Sequence, residues 1–325
     1  MNETELIKKA ASAIKNAERV AIFCHTRPDG DTLGSGLGLK AALGDKADVY
    51  CDSEISDYYD VFPNRGDVVP FVDVKGPYDL MVAVDCADPP RLGRYEREFL
   101  KAKNTVVIDH HVTNPGFGAV NCILPAASST GEIMLRVIRE ITGGALGRLS
   151  ALCLYVGVST DTGNFTHGNT APSTFRAAAD LVSFGVDVAA VADKLYKETT
   201  LNRIKLLAAV LSALSLREGG RVAVLRVTRD MLKMYDCKPY DTEGFVDYAI
   251  NLKGVLVGLM IHETGANRYK VSLRSKAPVN VAEAASRFGG GGHAQAAGCQ
   301  IQGEYYGVED KILRAVGEEI GLDER

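Results

Sequence analysis

At 325 residues, with 46% apolar and 24% charged side chains, the chain has an ordinary globular composition, enough length for two domains, and a net charge of −4 that excludes bulk attraction to long nucleic acid. Its longest apolar runs, 149–158 and 206–216, fall short of the roughly 18 residues of a membrane span, so no membrane association is expected. Seven cysteines without a CxxC pair, and a polar opening MNETELIKKA, argue against a disulfide framework, a zinc finger and a signal peptide, so the protein is expected in the cytoplasm.

In chain order, residues 20–25 (VAIFCH), 80–85 (LMVAVD) and 105–110 (TVVIDH) predict buried strands. They are uniformly apolar, as in a parallel sheet covered on both faces. Residues 33–43 and 131–142 predict intervening helices, and 151–160 a buried helix or strand. The rhythm predicts an α/β fold with a parallel-sheet first domain, residues 1–190. Residues 188–216 have helical period and contain no Gly or Pro; they predict a helical connection over 191–215 with a hinge near 190–205. The second domain, 216–325, reads as a smaller α/β unit. Its strands fall at 221–227, 255–263 and 269–275, and its helices near 242–252, 279–288 and 307–320. Residues 1–199 hold 20 basic and 26 acidic side chains, whereas 200–325 hold 17 and 15. An acidic first part suits cations, and a mildly basic second part suits an anionic substrate.

Only six histidines are present, and three of them sit in acidic clusters. The segment His25-Thr-Arg-Pro-Asp29-Gly-Asp31 gathers an imidazole and two carboxylates at the tip of the first strand. These are hard-metal ligands, although an N-capping aspartate in a surface turn would also fit. Asp85 closes a fully apolar strand, which is costly unless something positive meets it. Asp109, His110 and His111 close the next strand, and Asp161 follows another apolar run within STDTGNF. Together Asp29, Asp31, Asp85 and Asp161 carry four negative charges, which two divalent cations would balance. A dinuclear site needs a bridging carboxylate, and Asp85 lies between the other clusters in sequence. Mixed His and Asp ligands suit two Mn²⁺, with Mg²⁺ also possible. Two such ions clamp an in-line displacement at phosphorus and supply a bridging hydroxide, which is phosphoester or phosphoanhydride hydrolysis.

The motifs HTRPDGD, AVDCAD, IDHH and STDTGNF, in this order, resemble the four metal-site motifs of the DHH phosphoesterases. The run from Gly289 to Gly298, GGGGHAQAAG, resembles the GGGH motif of their C-terminal substrate domain. The resemblance spans nearly the whole chain and points to the branch of nano-RNases, pAp phosphatases and cyclic or linear di-AMP phosphodiesterases. It implies that His25, Asp29 and Asp85 hold one metal, and that Asp31, Asp85, His110 and Asp161 hold the other. His111 would sit beside the scissile phosphate, supported by Asp109. Ser272, Arg274, Gly290, Gly291, Gly292 and His293 would bind the substrate, the glycines through backbone N–H groups. The expected partner is a short oligonucleotide or dinucleotide, with no long duplex, and relatives imply a homodimer. An inorganic pyrophosphatase or exopolyphosphatase, or a nucleotide-sensing module without turnover, are the alternatives.

The remaining features are expected to be structural. Gly34, Gly36 and Gly38 lack GxGxxG spacing and would pack a helix on the sheet. His167 and His262 read as surface or structural groups. Arg203 and Lys205 read as solvated helix residues, and Cys24 and Cys86 as inert packing.

Overall fold

The computed structural model describes residues 2–74 and 76–321, and the chain divides between Glu198 and Thr199 into two units. The first begins with α1 (Glu3–Asn16), whose Asn2 and Glu5 cap one another reciprocally. Its strands are β1 (Val20–Cys24), β2 (Ala47–Cys51), β3 (Val68–Pro70), β4 (Leu80–Val84), β5 (Thr105–Asp109) and β6 (Val120–Ile123). All run parallel in the spatial order β3-β2-β1-β4-β5-β6. The chain winds outward on one side of β1 and then returns to its other side at β4. The tips of β1 and β4 therefore flank the point where strand order reverses, where open α/β sheets place their sites.

Both faces of this sheet are covered. Val20, Ile22 and Cys24 join the larger core with α1, α2 (Gly30–Leu43), α4 (Thr130–Thr142) and α5 (Arg148–Asp161). Ala21 and Phe23 point the other way, against Leu92, Tyr95 and Phe99, the last on α3 (Glu96–Lys101). Two further helices, α6 (Pro172–Ser183) and α7 (Val188–Ala192), complete the unit. The ambiguous run 151–160 is helical, within α5. Consequently Asp161 stands at a helix C-terminus and not at a strand tip. The glycines of α2 divide their work: a Cβ on Gly36 would press on Cys24 and Val49 of the sheet, whereas one on Gly38 would strike Leu154 of α5 and one on Gly34 the α5 backbone. The expectation of helix-on-sheet packing thus holds for Gly36, and the other two glycines serve a close helix–helix contact.

The helical connection expected over 191–215 is built of separate pieces. After α7 comes a π turn, Asp193–Lys197, then extended backbone at Glu198 and Thr200. Thr200 caps a new helix, α8 (Leu201–Ser212), by accepting from Arg203 N–H at 3.1 Å. Arg203 is not merely solvated. Its guanidinium donates to the carbonyls of Asp241 and Glu243 and lies 5.2 Å from the Phe245 ring centroid.

The second unit continues with β7 (Ser215–Arg217), β8 (Val222–Val227), α9 (Arg229–Met234), α10 (Phe245–Ile250), β9 (Val257–Gly265) and β10 (Arg268–Ser275). It ends with α11 (Val281–Ser286), β11 (Gly291–His293), β12 (Ala296–Gln302) and α12 (Tyr305–Glu319). The sheet order is β11-β12-β10-β9-β8-β7; only β8 and β9 pair in parallel. One face packs on α11 and α12 through Val271, Leu273, Ala297 and Cys299. On the other face, α8 and α10 cover the β8–β9 half through Leu225, Val227 and Met260. No helix among the described residues is long and apolar enough to cross a membrane.

Candidate metal centre

Six of the residues singled out as metal ligands converge in the first unit. Just after β1, Asp29 caps α2, accepting from the N–H groups of Asp31 and Thr32 with Oδ1 at 3.0 and 3.1 Å. Its Oδ2 faces His25 Nε2 at 3.5 Å. The capping reading of Asp29 is thus realised by Oδ1, while Oδ2 is left facing the imidazole. Asp31, in the first turn of α2, points its carboxylate at the N-terminus of α4, where it accepts from the N–H groups of Thr130 and Gly131 at 2.7 and 2.8 Å.

Asp85 follows β4 in left-handed backbone conformation, φ +58°, which aspartate tolerates better than most residues. Its Oδ2 lies 3.5 Å from His25 Nε2, and its Oδ1 lies 3.6 Å from His110 Nε2. His110 Nε2 is in turn 3.6 Å from Asp161 Oδ2. The six residues fall into the groups His25–Asp29–Asp85 and Asp31–His110–Asp161, and Asp85, which also lies within reach of Asp109 and His111, presents one oxygen toward a histidine of each.

Asp109 lies beside Asp85 and His111, but its carboxylate is taken up by hydrogen bonds. Fully buried at the end of β5, it accepts from His110 N–H at 2.9 Å, His111 Nδ1 at 2.7 Å and Asn114 Nδ2 at 2.6 Å. These bonds orient the His111 ring. Burial opposes the charge on both groups, but their mutual contact prevails and holds Asp109 below, and His111 above, its ordinary pKa.

The donor set fits divalent cations. His25 Nδ1 contacts the Thr26 carbonyl at 2.9 Å, while its Nε2 is buried among carboxylates without a hydrogen-bond partner. That is the usual arrangement of an imidazole ligand, with one nitrogen anchored and the other offered. The protonation equilibria report the same demand for positive charge. Burial favours neutral His25, yet Asp29 and Asp85 push it up to about 10. Burial, then the charges of Asp85, Asp161 and Asp29, drive Asp31 well above the carboxylate range; Asp161 is raised by burial and by Asp85 and Asp29. Desolvation opposes ionisation of Asp29 too, but His25 and the cap amides keep its pKa low.

Several supporting residues escape the sequence reading. Asn114 braces Asp109, Asn169 donates to Asp161, and Thr130 donates its hydroxyl to Asp85. The Ser129-x-x-Glu132 spacing signals a helix start, but nothing in it announces a bond to a carboxylate. Cys24 and Cys86 are buried, and burial pushes both thiols well above their ordinary pKa. His167 is exposed, with its ring seated over Gly163.

In the second unit, the suggested substrate residues line up across three strands. Arg274 pairs with Ala296, which pairs with His293; Ser272 pairs with Gly298, which pairs with Gly291. Directly paired residues share a sheet face, and this face is opposite the one that buries Leu273 and Ala297. The glycine run is an ordered edge strand entered by a turn. The amides of Gly289 and Gly290 already donate to the Ser286 and Ala285 carbonyls, which corrects the expectation that Gly290 offers its N–H to a phosphate. A Cβ on Gly290 or Gly292 would collide with the β12 backbone, so these glycines permit the pairing of β11.

A doubly wound parallel sheet bearing two adjoining carboxylate–imidazole groups at its switch point defines a class of enzyme, the metal-dependent phosphoesterases. The chain belongs to the DHH family: residues 19–158 match the DHH family N-terminal domain, and residues 219–321 match the DHHA1 domain. It is a hydrolase. It is 30% identical to the bifunctional oligoribonuclease and PAP phosphatase NrnA of Thermus thermophilus, over 97% of this chain and 95% of that one. Identity to the NrnA of Bacillus subtilis is 27%, over 96% of each chain. Identity to the cyclic-di-AMP phosphodiesterase GdpP of Geobacillus thermodenitrificans is also 27%, over 93% of this chain and 47% of that one. A crystal structure of an exopolyphosphatase-related protein from Bacteroides fragilis shares the fold, with a TM-score of 0.89, 24% identity and 98% coverage of both chains.

Proposed function

We propose that the protein is a Mn²⁺-dependent phosphodiesterase that hydrolyses short oligoribonucleotides, pAp and/or linear or cyclic dinucleotides such as pApA and c-di-AMP to mononucleotides. The observation that carries this reading is Asp85, with one carboxylate oxygen toward His25 and the other toward His110. His25, Asp29 and Asp85 would hold one ion, and Asp31, Asp85, His110 and Asp161 the other. When bound, two divalent cations acidify a water molecule and neutralise charge that develops on the phosphoryl oxygens. The chain's own groups do the rest. Asp109 fixes the His111 ring so that it can hydrogen-bond a phosphate oxygen. Arg274, Ser272, Gly291 and His293 share one sheet face, where a guanidinium and an imidazole suit a phosphate or nucleotide, and Gly292 joins Gly291 to His293 along the edge strand. Gly290 supports that face through its backbone turn.

The test is nucleotide chromatography of reactions containing Mn²⁺ and, in parallel, pApA, pAp and c-di-AMP. Release of AMP from the linear substrates supports the oligoribonuclease reading, and rapid loss of c-di-AMP supports a second-messenger phosphodiesterase. If none is cut while pyrophosphate is, the phosphodiesterase reading is wrong. Gel filtration with light scattering tests the expected homodimer, and cell fractionation the expected cytoplasmic location.

A further inference from the structure

The ligand carboxylates are braced by a buried frame that opens α4, from Ser128 to Glu132. Ser129 caps this helix, accepting from Glu132 N–H at 3.1 Å, so capping makes no use of the next hydroxyl. That hydroxyl, on fully buried Thr130, donates to Asp85 Oδ1 at 2.8 Å, the oxygen that also faces His110. The Thr130 N–H simultaneously donates to Asp31 Oδ2 at 2.7 Å. One residue thus touches both the carboxylate shared by the two groups and a carboxylate that belongs to only one.

The frame extends to a third carboxylate. Asn169 Nδ2 donates to the Ser128 carbonyl at 2.9 Å and to Asp161 at its carbonyl, 3.1 Å, and at Oδ2, 3.3 Å. Ser128 is held in turn by buried Glu132, whose Oε2 accepts from its N–H at 3.1 Å and its hydroxyl at 2.8 Å. Thr174 of α6 donates to the same oxygen at 3.4 Å. Asp31, Asp85 and Asp161 come from three distant parts of the chain; Thr130 donates to the first two directly, and Asn169 links the third to the same segment through the Ser128 carbonyl.

We infer that Thr130 and Asn169 are positioning residues of the metal centre: Thr130 fixes the rotation of the Asp85 carboxylate, and Asn169 fixes that of Asp161. The inference rests on the dinuclear metal reading given above. A carboxylate that must serve two ions loses more from free rotation than one that serves a single ion. Outer hydrogen-bond partners of this kind typically change metal affinity or activity by about 10–100-fold when removed.

The experiment is calorimetric titration of Mn²⁺ alone into metal-stripped protein, together with melting of the metal-stripped forms and steady-state kinetics at saturating Mn²⁺. Thr130→Val should bind Mn²⁺ at least about tenfold more weakly and lower kcat more than it raises KM, with little change in the metal-free Tm. Thr130→Ser, which restores the hydroxyl, should return to within about threefold of the parent. The inference is overturned if Thr130→Val binds Mn²⁺ as the parent does, or if Thr130→Ser is as impaired as Thr130→Val. Should Thr130→Val fail to fold, Asn169→Ala on its exposed loop carries the same test, and unchanged Mn²⁺ affinity there overturns the inference. A parent protein that itself binds no Mn²⁺ would overturn the manganese reading of the centre instead, so the two failures are distinguishable.

Discussion

His25 Nε2 lies 3.5 Å from Asp85 Oδ2, and both side chains are almost completely removed from solvent. A buried imidazole and carboxylate at this spacing are a poor hydrogen bond and a good pair of ligands. Asp85→Asn keeps the volume of the side chain and removes its charge. On the proposal that this carboxylate serves two ions, the substitution should lower kcat by at least about 10³-fold, since such ions supply several kcal/mol of charge stabilisation. The variant should also retain less Mn²⁺ after dialysis, as read by elemental analysis. Near-parental activity with Mn²⁺ would remove Asp85 from the centre.

Cation binding should be strongly pH-dependent. In the metal-free protein, Asp31 and Asp161 are raised well above the carboxylate range and His25 to about 10. Ligation requires His25 neutral and the carboxylates ionised, so binding must release protons. Mn²⁺ affinity is expected to rise between about pH 6 and pH 8, by up to about tenfold per pH unit for each proton released. Calorimetry in two buffers of different ionisation enthalpy reads the proton count directly; buffer-independent heats would contradict the prediction.

Gly157 on α5 has no room for a side chain. A Cβ there would lie 2.8 Å from Asp31 Oδ1 and 3.3 Å from its Cα. Gly157→Ala should therefore displace the Asp31 carboxylate as well as overpack the contact between α2 and α5. The expected cost is about 1–3 kcal/mol in denaturant unfolding, together with weaker Mn²⁺ binding. An effect on stability alone would mean that α5 yields and Asp31 stays in place.

His262 gives the second unit a separate acid sensitivity. It is buried in β9, its Nε2 has no partner, and desolvation followed by the charge of Lys270 lowers it to about 4. Its folded pKa lies below the ordinary value of about 6.5, so between these values the unfolded chain binds more protons. Stability from this group is complete above pH about 6.5 and is lost as pH falls toward 4, by an amount on the order of 3 kcal/mol. His262→Leu should flatten the dependence of unfolding free energy over that window. An unchanged slope would assign the acid sensitivity to other groups.

The residues of the centre were legible in one dimension because their chemistry conflicts with their surroundings. An aspartate or histidine that ends a fully apolar run, as Asp85 and Asp109 do, is costly without a cation or a dense set of donors. Four such clusters in order, followed by GGGGH, also carried the family. Uniformly apolar strands announced the parallel sheet for the same reason, since burial on both faces leaves no polar side.

Other features were decided only by the tertiary structure. Thr130 lies 99 residues from Asp31 and 45 from Asp85, and in sequence it is merely a threonine that opens a helix. Asn114 and Asn169 are ordinary loop residues until the chain closes on Asp109 and Asp161. Helical period could not reveal the break before α8, because the extended residues Glu198 and Thr200 interrupt the helix, and Thr200 caps the next, without disturbing the apolar spacing. The glycine run became an edge strand because β12 approaches too closely for any Cβ at Gly290 or Gly292. Burial and charge are properties a residue carries with it along the chain. Hydrogen-bond partners and close backbone approach depend on which distant segments meet.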